Sequence, residues 1–501
     1  MFLFVIASNS QQVYFNNRYD HNGGLEVIWS VLAVDSGYLC AAGTGKVLLL
    51  RLDNFGNVVW KKEYGDTGKD YYVGISGSMV QTVDEGFALG GSVAISGEKS
   101  DGMIWNFDIY GDTLWTQQFG DTTYEEIFYQ CKQTPDSGFI LIGVTTKTDP
   151  DGDIWLLKTD KNGNFEWDTT YGGAGVEYGF SVDVCYDGGY ILGGYTKSFG
   201  AGDVDAYVIR VNDTGNIQWS KTFGDIYLDG YAVVLQTSDS GYIIGTSISK
   251  YIMSTFYNQN QTRLIKLNNN GDVVWDKTYG EERYGVELYA IHELGNGNFV
   301  VIGQRANRSG TPPGNGWING LILKVNSIGD SLWYRVYEYD TCEKNDDYFR
   351  DMKPTSDGGF IVAGFFVPRT AIPCNDTGTQ DMWVMKLDSC GCAVPYCDLV
   401  CSGDTTGIED LRFANEDFGF TVYPNPFKEE ATVLIHQQQA VKNKKLIIYD
   451  MTGRNIRGYI LPTIQSQLVI NSDRIGAGMF FIQLIEENGM FYTKKIIITD
   501  L

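Results

Sequence analysis

The stretch Asp160-Lys-Asn-Gly-Asn-Phe-Glu-Trp167-Asp-Thr-Thr-Tyr171 carries the pattern that decides the fold. An Asp or Asn stands seven residues before a Trp, a Gly stands four residues before it, and an aromatic residue follows four residues after it. Asx side chains bond to nearby backbone and Gly adopts positive φ without strain, so the first half predicts a tight turn. The half that bears the Trp predicts a strand. The pattern occurs six times at spacings of 52 to 58 residues, with its Trp at Trp60, Trp115, Trp167, Trp219, Trp275 and Trp333.

A second turn, Asp-x-Gly followed by an aromatic residue, precedes each strand pair. It is clear in Asp187-Gly-Gly-Tyr190 and degenerate in Gly295-Asn-Gly-Asn-Phe299. The other copies begin at Asp35, Asp84, Asp136, Asp239 and Asp357. Each unit therefore predicts four strands, joined by two tight turns and two longer connections. Four-stranded units that repeat about every 50 residues are typical of a β-propeller.

The number of blades follows from a missing strand. The seventh Asp-Gly-aromatic turn leads only to Asp388-Ser-Cys-Gly-Cys392, and no Trp strand follows it. Near the N-terminus, Val13–Tyr19 aligns with Val58–Tyr64, so that Phe15 takes the position of the Trp. We therefore predict an all-β chain with a seven-bladed propeller over residues 11–392, in which the first strand closes the last blade. A closed ring leaves only short, protected strand edges.

Composition limits the function classes. The chain of 501 residues has 60 Gly, 14% aromatic residues and a formal net charge of −24. Apolar content is too high for general disorder, and the acidic charge argues against nucleic-acid binding. No run of 18 apolar residues predicts a membrane span. Only three His residues are present, which argues against His-based catalysis or a multi-His metal site.

The N-terminus and the cysteines suggest an oxidising compartment. Residues 1–10 contain the apolar run Phe2–Ala7, interpreted as the remnant of a signal peptide or, alternatively, as a free apolar end or the start of the first strand. Six of nine Cys residues follow residue 340, and their spacing lacks the CxxC pairs of zinc sites. We predict an oxidised cluster that extends into a linker at 393–418. The earlier Cys40, Cys131 and Cys185 are predicted to be small core residues.

The C-terminal segment, residues 419–501, differs in charge and pattern. It has 9 Lys and Arg against 7 Asp and Glu, a net charge of +2, and its short strands predict a small β-sandwich. The segment resembles the type A C-terminal sorting domain of the type IX secretion system. The residues that carry the resemblance are Tyr423, Pro424, Asn425, Pro426, Asp450, Gly453, Gly476, Gly478, Lys494 and Lys495.

The resemblance implies a route and partners. It implies Sec export, passage through the outer membrane of a Bacteroidetes-type bacterium by the type IX machinery, and then release or attachment to surface lipopolysaccharide. The propeller units also look like the tandem repeats common in such cargo, for which no single activity is known.

Long connections between second and third strands form the first candidate binding surface. They are Thr246–Gln261, Gln304–Gly320 and Phe365–Gln380, which would share one face of the ring. Variable loops on a rigid scaffold are where binding usually resides. Their aromatic residues would stack on sugar rings or, alternatively, cover neighbouring blades. These residues are Tyr251, Phe256, Tyr257 and Trp317.

A repeated carboxylate forms the second candidate site. It stands 12 or 13 residues before the turn aromatic in every unit except the second: Glu26, Glu126, Glu177, Asp229, Glu287 and Asp347. Carboxylates at the channel mouth would hold Ca²⁺, attract a cation or act as an acid–base pair. The alternative is that each bonds to backbone N–H groups. Separately, Asp149, Asp151 and Asp153 form a D-x-D-x-D run that suits Ca²⁺, the one cofactor that the patterns suggest.

These patterns lead to three functional hypotheses. The first is an exported binding or adhesion module for glycans or proteins. The second is a secreted carbohydrate-active enzyme, a glycosidase or lyase, that uses the channel-mouth carboxylates. The third is a structural component of a surface assembly. Known hydrolase, metalloprotease and nucleotide-binding motifs are absent from the sequence, but a two-carboxylate enzyme needs none of them.

Overall fold

The computed structural model describes residues 13–393 and 420–498, with internal gaps. The gaps are residues 22, 96–98, 122, 228, 253–256, 281–283, 308–317, 339–345 and 368–379 in the first range, and residues 424–427, 436–443, 451–454, 462–466, 473–474 and 486–490 in the second. The chain divides into two compact units, one built from each described range. Both are all-β, and no α-helix occurs in the part of the chain that the structure describes. No helix there has the length and apolarity needed to cross a membrane.

The larger unit is built from antiparallel sheets of four or five strands. The first strands of its sheets are β2 (Val27–Val34), β6 and β7 (Lys69–Val73 and Met79–Gln81), β11 (Glu126–Gln133), β15 (Glu177–Val184), β19 (Val233–Gln236), β23 (Tyr284–Glu293) and β27 (Asp346–Pro354). The second strands are β3 (Gly37–Gly43), β8 (Phe87–Ile95), β12 (Phe139–Thr145), β16 (Tyr190–Thr196), β20 (Tyr242–Ile252), β24 (Phe299–Asn307) and β28 (Phe360–Val367). The third strands are β4 (Val47–Leu52), β9 (Ser100–Phe107), β13 (Asp153–Thr159), β17 (Asp205–Val211), β21 (Tyr257–Leu267), β25 (Ile318–Val325) and β29 (Asp381–Leu387). The fourth strands are β5 (Val58–Tyr64), β10 (Thr113–Phe119), β14 (Phe165–Tyr171), β18 (Ile217–Phe223), β22 (Val273–Tyr279), β26 (Ser331–Tyr337) and β1 (Phe15–Tyr19).

The last sheet takes its fourth strand from the N-terminus. Its order is β27-β28-β29-β1, and the register pairs Phe15 with Lys386 and Tyr19 with Met382. The predicted pairing of the first strand with the last sheet is therefore confirmed. Each sheet contacts the next along the chain, and β2 of the first sheet contacts β27 and β28 of the last. The described sheets thus follow one another in a closed order.

The Asx-x-x-Gly turn connects the third and fourth strands of one sheet and packs against the preceding sheet. In the first copy, Asp53 Oδ1 accepts hydrogen bonds of 2.8 Å from the N–H groups of Phe55 and Asn57. The glycine of each turn has positive φ and lies against the ring at the Trp position of the preceding sheet, which is Phe15 for Gly56 and a Trp in the other copies; a Cβ on Gly111, for example, would be 2.7 Å from Trp60 Cη2. Where the aromatic residue after the Trp is Tyr, its hydroxyl donates to that glycine's carbonyl, as Tyr171 does to Gly215 at 2.6 Å. The repeated Trp, Gly and Tyr positions are therefore packing positions between sheets.

In four sheets a buried Lys or Arg side chain forms an ion pair with the Asp of the Asp-x-Gly turn. Lys158 on a third strand donates to Asp136 Oδ2 at 2.8 Å, and Asp136 begins the Asp-x-Gly turn of the same sheet. Lys266, Lys386 and Arg210 contact Asp239, Asp357 and Asp187 in the same way. Each side chain covers apolar surface with its stem and neutralises a turn carboxylate with its charged end.

A buried carboxylate joins the last sheet to the first two. Asp351 Oδ2 accepts hydrogen bonds from Ser30 Oγ at 2.9 Å and from the Val31 N–H at 3.0 Å. Its Oδ1 accepts hydrogen bonds from Ser76 Oγ at 3.1 Å and from Lys353 Nζ at 2.8 Å. Burial opposes ionisation, but the Lys353 ammonium and these donors lower the pKa of Asp351.

One predicted connection is largely strand. The sequence suggests a loop over Thr246–Gln261, but β20 continues to Ile252 and β21 begins at Tyr257, so that Tyr251 pairs with Asn258. The prediction of a loop was wrong there. The pair β20–β21 continues past the other strands of its sheet, and the composition of such an extension does not distinguish it from a loop. In the second sheet, by contrast, the first strand is interrupted between Val73 and Met79.

The smaller unit has two sheets. One has the strand order β30-β31-β34, from Phe420–Tyr423, Glu430–Ile435 and Gln467–Asn471. The other has the order β33-β32-β35-β36, from Asn455–Leu461, Lys444–Asp450, Gly478–Ile485 and Phe491–Ile498. Residues of both sheets, such as Val433 and Ile482, share one buried apolar cluster.

The cysteines behave as predicted where the structure describes them. Cys40, Cys131 and Cys185 are free and buried in the core, and burial raises the pKa of the Cys131 and Cys185 thiols to about 12. Cys390 and Cys392 are disulfide-bonded. The N-terminal run Phe2–Ala7 and the linker beyond Ala393 lie outside the described residues.

Candidate functional site

The repeated carboxylates occupy equivalent positions at the start of the first strands. Glu26, Glu126, Glu177, Asp229 and Asp347 are buried, whereas Glu287 is exposed. Four of them accept a backbone hydrogen bond from the connection that precedes them. The donors are the N–H groups of His21 to Glu26 (3.2 Å), Asp121 to Glu126 (2.9 Å), Gly173 to Glu177 (2.8 Å) and Asp225 to Asp229 (2.7 Å). These bonds agree with the interpretation that each carboxylate bonds to backbone, and a binding role for all six stays a prediction.

Glu177 illustrates how firmly such a carboxylate is held. Besides Gly173 N–H on Oε2, its Oε1 accepts hydrogen bonds from Thr196 Oγ1 at 2.6 Å and from the Ser198 N–H at 3.0 Å. The side chain therefore connects the loop before β15 to the end of β16.

The carboxylates of the D-x-D-x-D run bond to different groups and do not meet at one site. Asp149 Oδ1 accepts the Asp151 N–H at 2.8 Å, which forms an Asx turn, whereas Asp153 is buried and accepts Thr148 Oγ1 at 2.5 Å. Among the described residues, the only group of three or more potential ligands whose atoms all lie within 4.8 Å of one another is Asp20, Glu26 and Asp381. A calcium role for Asp149, Asp151 and Asp153 stays a prediction.

Bulges in the first strands position a set of large side chains that sequence reasoning missed. In five sheets the pairing register skips one residue, as it does between Phe128 and Gln130. A bulge leaves one residue unpaired and re-aims its side chain. The skipped residues are Trp29, Tyr129, Phe180, Tyr289 and Arg350. The signal in the sequence was a bulky residue three positions after the repeated carboxylate in four of the units.

Three successive sheets, two of them with a bulged first strand, contribute to a row of stacked rings. The Phe180 ring centroid lies 4.8 Å from that of Tyr129 and 4.6 Å from that of Tyr231. Tyr195 and Tyr178 stack beside them at 5.4 Å. All five rings are half-buried, so this aromatic row, Tyr129, Tyr178, Phe180, Tyr195 and Tyr231, keeps part of its surface accessible.

Among the other three bulged residues, the Arg350 guanidinium lies over the rings of Trp29 and Tyr289. The guanidinium carbon of Arg350 lies 4.5 Å from the ring centroid of Tyr289, 4.9 Å from that of Trp29 and 5.1 Å from that of Phe365. Each contact is within cation–π range, so the rings hold the guanidinium in place. The arrangement joins the sixth, seventh and first sheets.

A pocket of about 240 Å³ opens at the end of the aromatic row. Tyr195 and Tyr231 supply aromatic surface, and Lys197 and Glu287 supply charged groups of opposite sign. Glu287 is oriented by Tyr289 Oη at 2.7 Å and Gln304 Nε2 at 2.9 Å. Burial raises the pKa of Tyr195 to about 12, so its hydroxyl stays protonated at neutral pH. The lining therefore combines apolar ring surface with donors and acceptors of both charges.

A second cavity, of about 410 Å³, lies between the first and second sheets and is lined by Tyr64, Tyr71 and Thr116 among others. It is larger, but its lining includes no repeated carboxylate, whereas Asp229 and Glu287 line the pocket beside the aromatic row. The pocket beside the aromatic row is the better candidate site.

The side chains of the predicted loop aromatics fall outside what the structure describes. Phe256 and Trp317 lie outside the described residues, and the side chains of Tyr251 and Tyr257 lie outside the described part as well. Their binding role stays a prediction.

The sorting-motif residues lie in the smaller unit. Tyr423 ends β30, Asp450 ends β32, and Lys494 and Lys495 lie in β36. Gly476 and Gly478 have φ of 87° and 147°, before and at the start of β35. Pro424, Asn425, Pro426 and Gly453 lie outside the described residues.

Residues 421–499 match the secretion system C-terminal sorting domain family. The match agrees with the resemblance found in the sequence, and it indicates export through the type IX system to the cell surface or into the medium. No curated protein matches the chain.

Several solved structures are similar to the chain at low identity. A protein of unknown function from Bacteroides caccae is 12% identical, with 63% of this chain and 94% of that chain covered and a TM-score of 0.31. The WD40 domain of SCAP from fission yeast is 8% identical over 75% of this chain and 98% of its own, at a TM-score of 0.36. BBS1N, solved in complex with ARL6DN, is 10% identical over 75% and 97%, at 0.41. All three TM-scores are below 0.5, so the description of the fold is based on the strand pairing within this chain.

Proposed function

We propose that the chain is an exported seven-bladed β-propeller, followed by a sandwich-like sorting domain, that acts as a glycan-binding module. Seven described sheets in closed order and the β1–β29 pairing support the ring. The matched sorting domain supports export. A signal peptide remnant at residues 1–10, and attachment to surface lipopolysaccharide after export, are parts of the same proposal.

The pocket beside the aromatic row carries the proposal for the ligand. The C–H faces of a sugar ring pack on aromatic rings, and its hydroxyls need both donors and acceptors. Tyr195 and Tyr231 offer the rings, and Lys197 and Glu287 offer a donor and an acceptor. Ligand pockets commonly combine apolar and aromatic walls with a few oriented polar groups. A pocket of about 240 Å³ suits one or two sugar units of a longer chain.

The position of the pocket suits binding rather than structure alone. Its lining comes from three successive sheets, through Tyr195 in β16, Ser247 in β20 and Leu288 in β23. The rigid strands fix these side chains before a ligand arrives, which lowers the entropic cost of binding. The exposed Glu287 differs here from the buried carboxylates at the equivalent positions.

A glycan array tests the proposal. The full chain, labelled away from the pocket, is applied to the array, and binding of the best glycan is then compared between Tyr231→Ala and Tyr186→Ala. Tyr186 is the matched control, because it is 72% exposed on a turn and does not line the pocket. We expect Tyr231→Ala to weaken binding at least tenfold and Tyr186→Ala to leave it unchanged. An array without any bound glycan would contradict the proposal.

A further inference from the structure

Three third strands carry a buried aspartate whose second oxygen is unpartnered. Asp101, Asp153 and Asp205 are 5%, 6% and 1% exposed. In each, Oδ2 accepts hydrogen bonds: from Gln118 Nε2 (2.5 Å), from Thr148 Oγ1 (2.5 Å), and from the Ala201 N–H (2.8 Å), respectively. In each, Oδ1 is buried and has no hydrogen-bond partner. Since buried polar atoms are nearly always paired, three equivalent orphaned oxygens call for a ligand.

The orphaned oxygen faces a carboxylate of the following sheet. A Cβ on Gly172 would overlap Asp153 Oδ1 and would lie 2.8 Å from Glu177 Oε2. A Cβ on Gly224 would likewise overlap Asp205 Oδ1 and lie 2.6 Å from Asp229 Oδ2. Neither glycine has positive φ, so glycine here keeps space open rather than permitting an unusual backbone conformation.

The other interfaces repeat the arrangement. A Cβ on Gly120 would lie 2.9 Å from Asp101 Oδ1 and overlap Glu126 Oε2. At the junction of the last and first sheets, Glu26 and Asp381 meet again, and Asp20 joins them within 4.8 Å. Asp381 there also forms an ion pair with Arg18. Carboxylate pairs therefore stand at four junctions between successive described sheets.

Two buried carboxylates in contact need a neutralising charge. Asp153 Oδ1 and Glu177 Oε2 both lie within 2.8 Å of the position that a Cβ on Gly172 would take. Among the described residues, no Lys or Arg forms an ion pair with Asp101, Asp153, Asp205 or Glu177. Since no protein cation neutralises these pairs, a bound metal ion can supply the missing positive charge.

We propose that these inter-sheet carboxylate pairs bind divalent cations, with Ca²⁺ as the ion that fits best. Ca²⁺ takes carboxylate, carbonyl and water oxygens in flexible geometry and leaves room for ligands from both sheets. The ions would bridge the first strand of one sheet to the third strand of its neighbour. The proposal is independent of the proposed glycan binding.

Calorimetric titration of the EDTA-stripped full chain with CaCl₂ tests it. Asp153→Asn is compared with Asp151→Asn, an exposed carboxylate of the same loop. We expect Asp153→Asn to lower the number of bound ions by one and Asp151→Asn to leave it at the wild-type number. In the wild type, Ca²⁺ should raise the midpoint of thermal unfolding by roughly 3 °C per site at a hundredfold excess over Kd.

A second measurement keeps the test independent of whether a variant folds. Tb³⁺ luminescence of the wild-type chain, excited through its Trp and Tyr residues, should appear on binding and be displaced by Ca²⁺. Absence of both a calcium-dependent melting shift and a displaceable Tb³⁺ signal would overturn the proposal and favour a shared proton. An unchanged ion number in folded Asp153→Asn would also overturn it.

Discussion

Gly56→Ala tests how β1, the strand that pairs with the last sheet, is held against the first sheet. Gly56 has φ of 79°, and a methyl group at this position would lie 2.8 Å from Phe15 Cδ2 and 2.7 Å from Asn17 Nδ2, both on β1. The Gly56 carbonyl also accepts a buried hydrogen bond of 2.6 Å from Tyr19 Oη. The substitution therefore strains the turn and pushes β1 away from the first sheet at the same time.

Gly188→Ala is the matched control. Gly188 has φ of 88°, but nothing lies within 4 Å of the added methyl group. Equivalent turns carry Ser36, Glu85, Ser137 and Ser240 at positive φ, which shows that this position accepts a side chain. The control therefore measures the conformational cost alone.

The two substitutions should lower the free energy of unfolding by different amounts, because only Gly56→Ala also overpacks its surroundings. A non-glycine residue at positive φ costs about 1–2 kcal/mol, and overpacking adds about 1–3 kcal/mol, so Gly56→Ala should cost roughly 2–5 kcal/mol. For a unit of roughly 380 residues, about 1 kcal/mol lowers the melting midpoint by about 1.3 °C. We expect a decrease of about 3–6 °C for Gly56→Ala and about 1–3 °C for Gly188→Ala.

The assay combines calorimetry with amide hydrogen exchange. In Gly56→Ala, the amides of Phe15–Tyr19 should exchange faster than in the wild type, because β1 loses its packing against the first sheet. In Gly188→Ala their protection should not change. Equal melting shifts, with protection of β1 intact in both variants, would show that the contact with Gly56 does not hold β1 in place.

Two further predictions concern pH and export. Burial opposes ionisation of Asp136, but Lys158 and Thr134 bonds lower its pKa to about 2, so its stabilisation is present above pH 4 and lost as pH falls towards 2. Since the Asp136 side chain is 58% exposed, Asp136→Asn should cost at most about 1 kcal/mol by urea titration at pH 7 and clearly less at pH 2; a pH-independent difference would contradict this. Deletion of residues 419–501 should trap the protein in the periplasm, measured by fractionation, and normal secretion of the truncated form would contradict the role of the sorting domain.

Local turn chemistry explains why much of the ring was predictable. An Asx side chain that caps its own turn and a glycine at positive φ leave the same trace in every unit, as Asp53 and Gly56 show. The partner of the last sheet was predictable because Phe15 and Tyr19 repeat the spacing of Trp60 and Tyr64. Each of these features depends on neighbours within a few residues.

The candidate site depends on the register of strand pairs and on contacts between sheets. The bulge at Phe180 arises from the register between β15 and β16 and leaves no mark in composition. The sequence pattern likewise grouped Asp153 with Asp149 and Asp151, its neighbours in the chain, whereas the structure brings it to Glu177 across a sheet interface. The repeated carboxylates could be identified from their spacing in the sequence. Their burial and their bonds to backbone are visible only in the folded chain.

The most direct test of the proposed function is the affinity of the chain for its best array glycan, measured by calorimetry with wild-type, Tyr231→Ala and Tyr186→Ala proteins of equal thermal stability. We expect at least a tenfold loss of affinity for Tyr231→Ala alone. Equal affinity of all three proteins would contradict binding at the pocket beside the aromatic row.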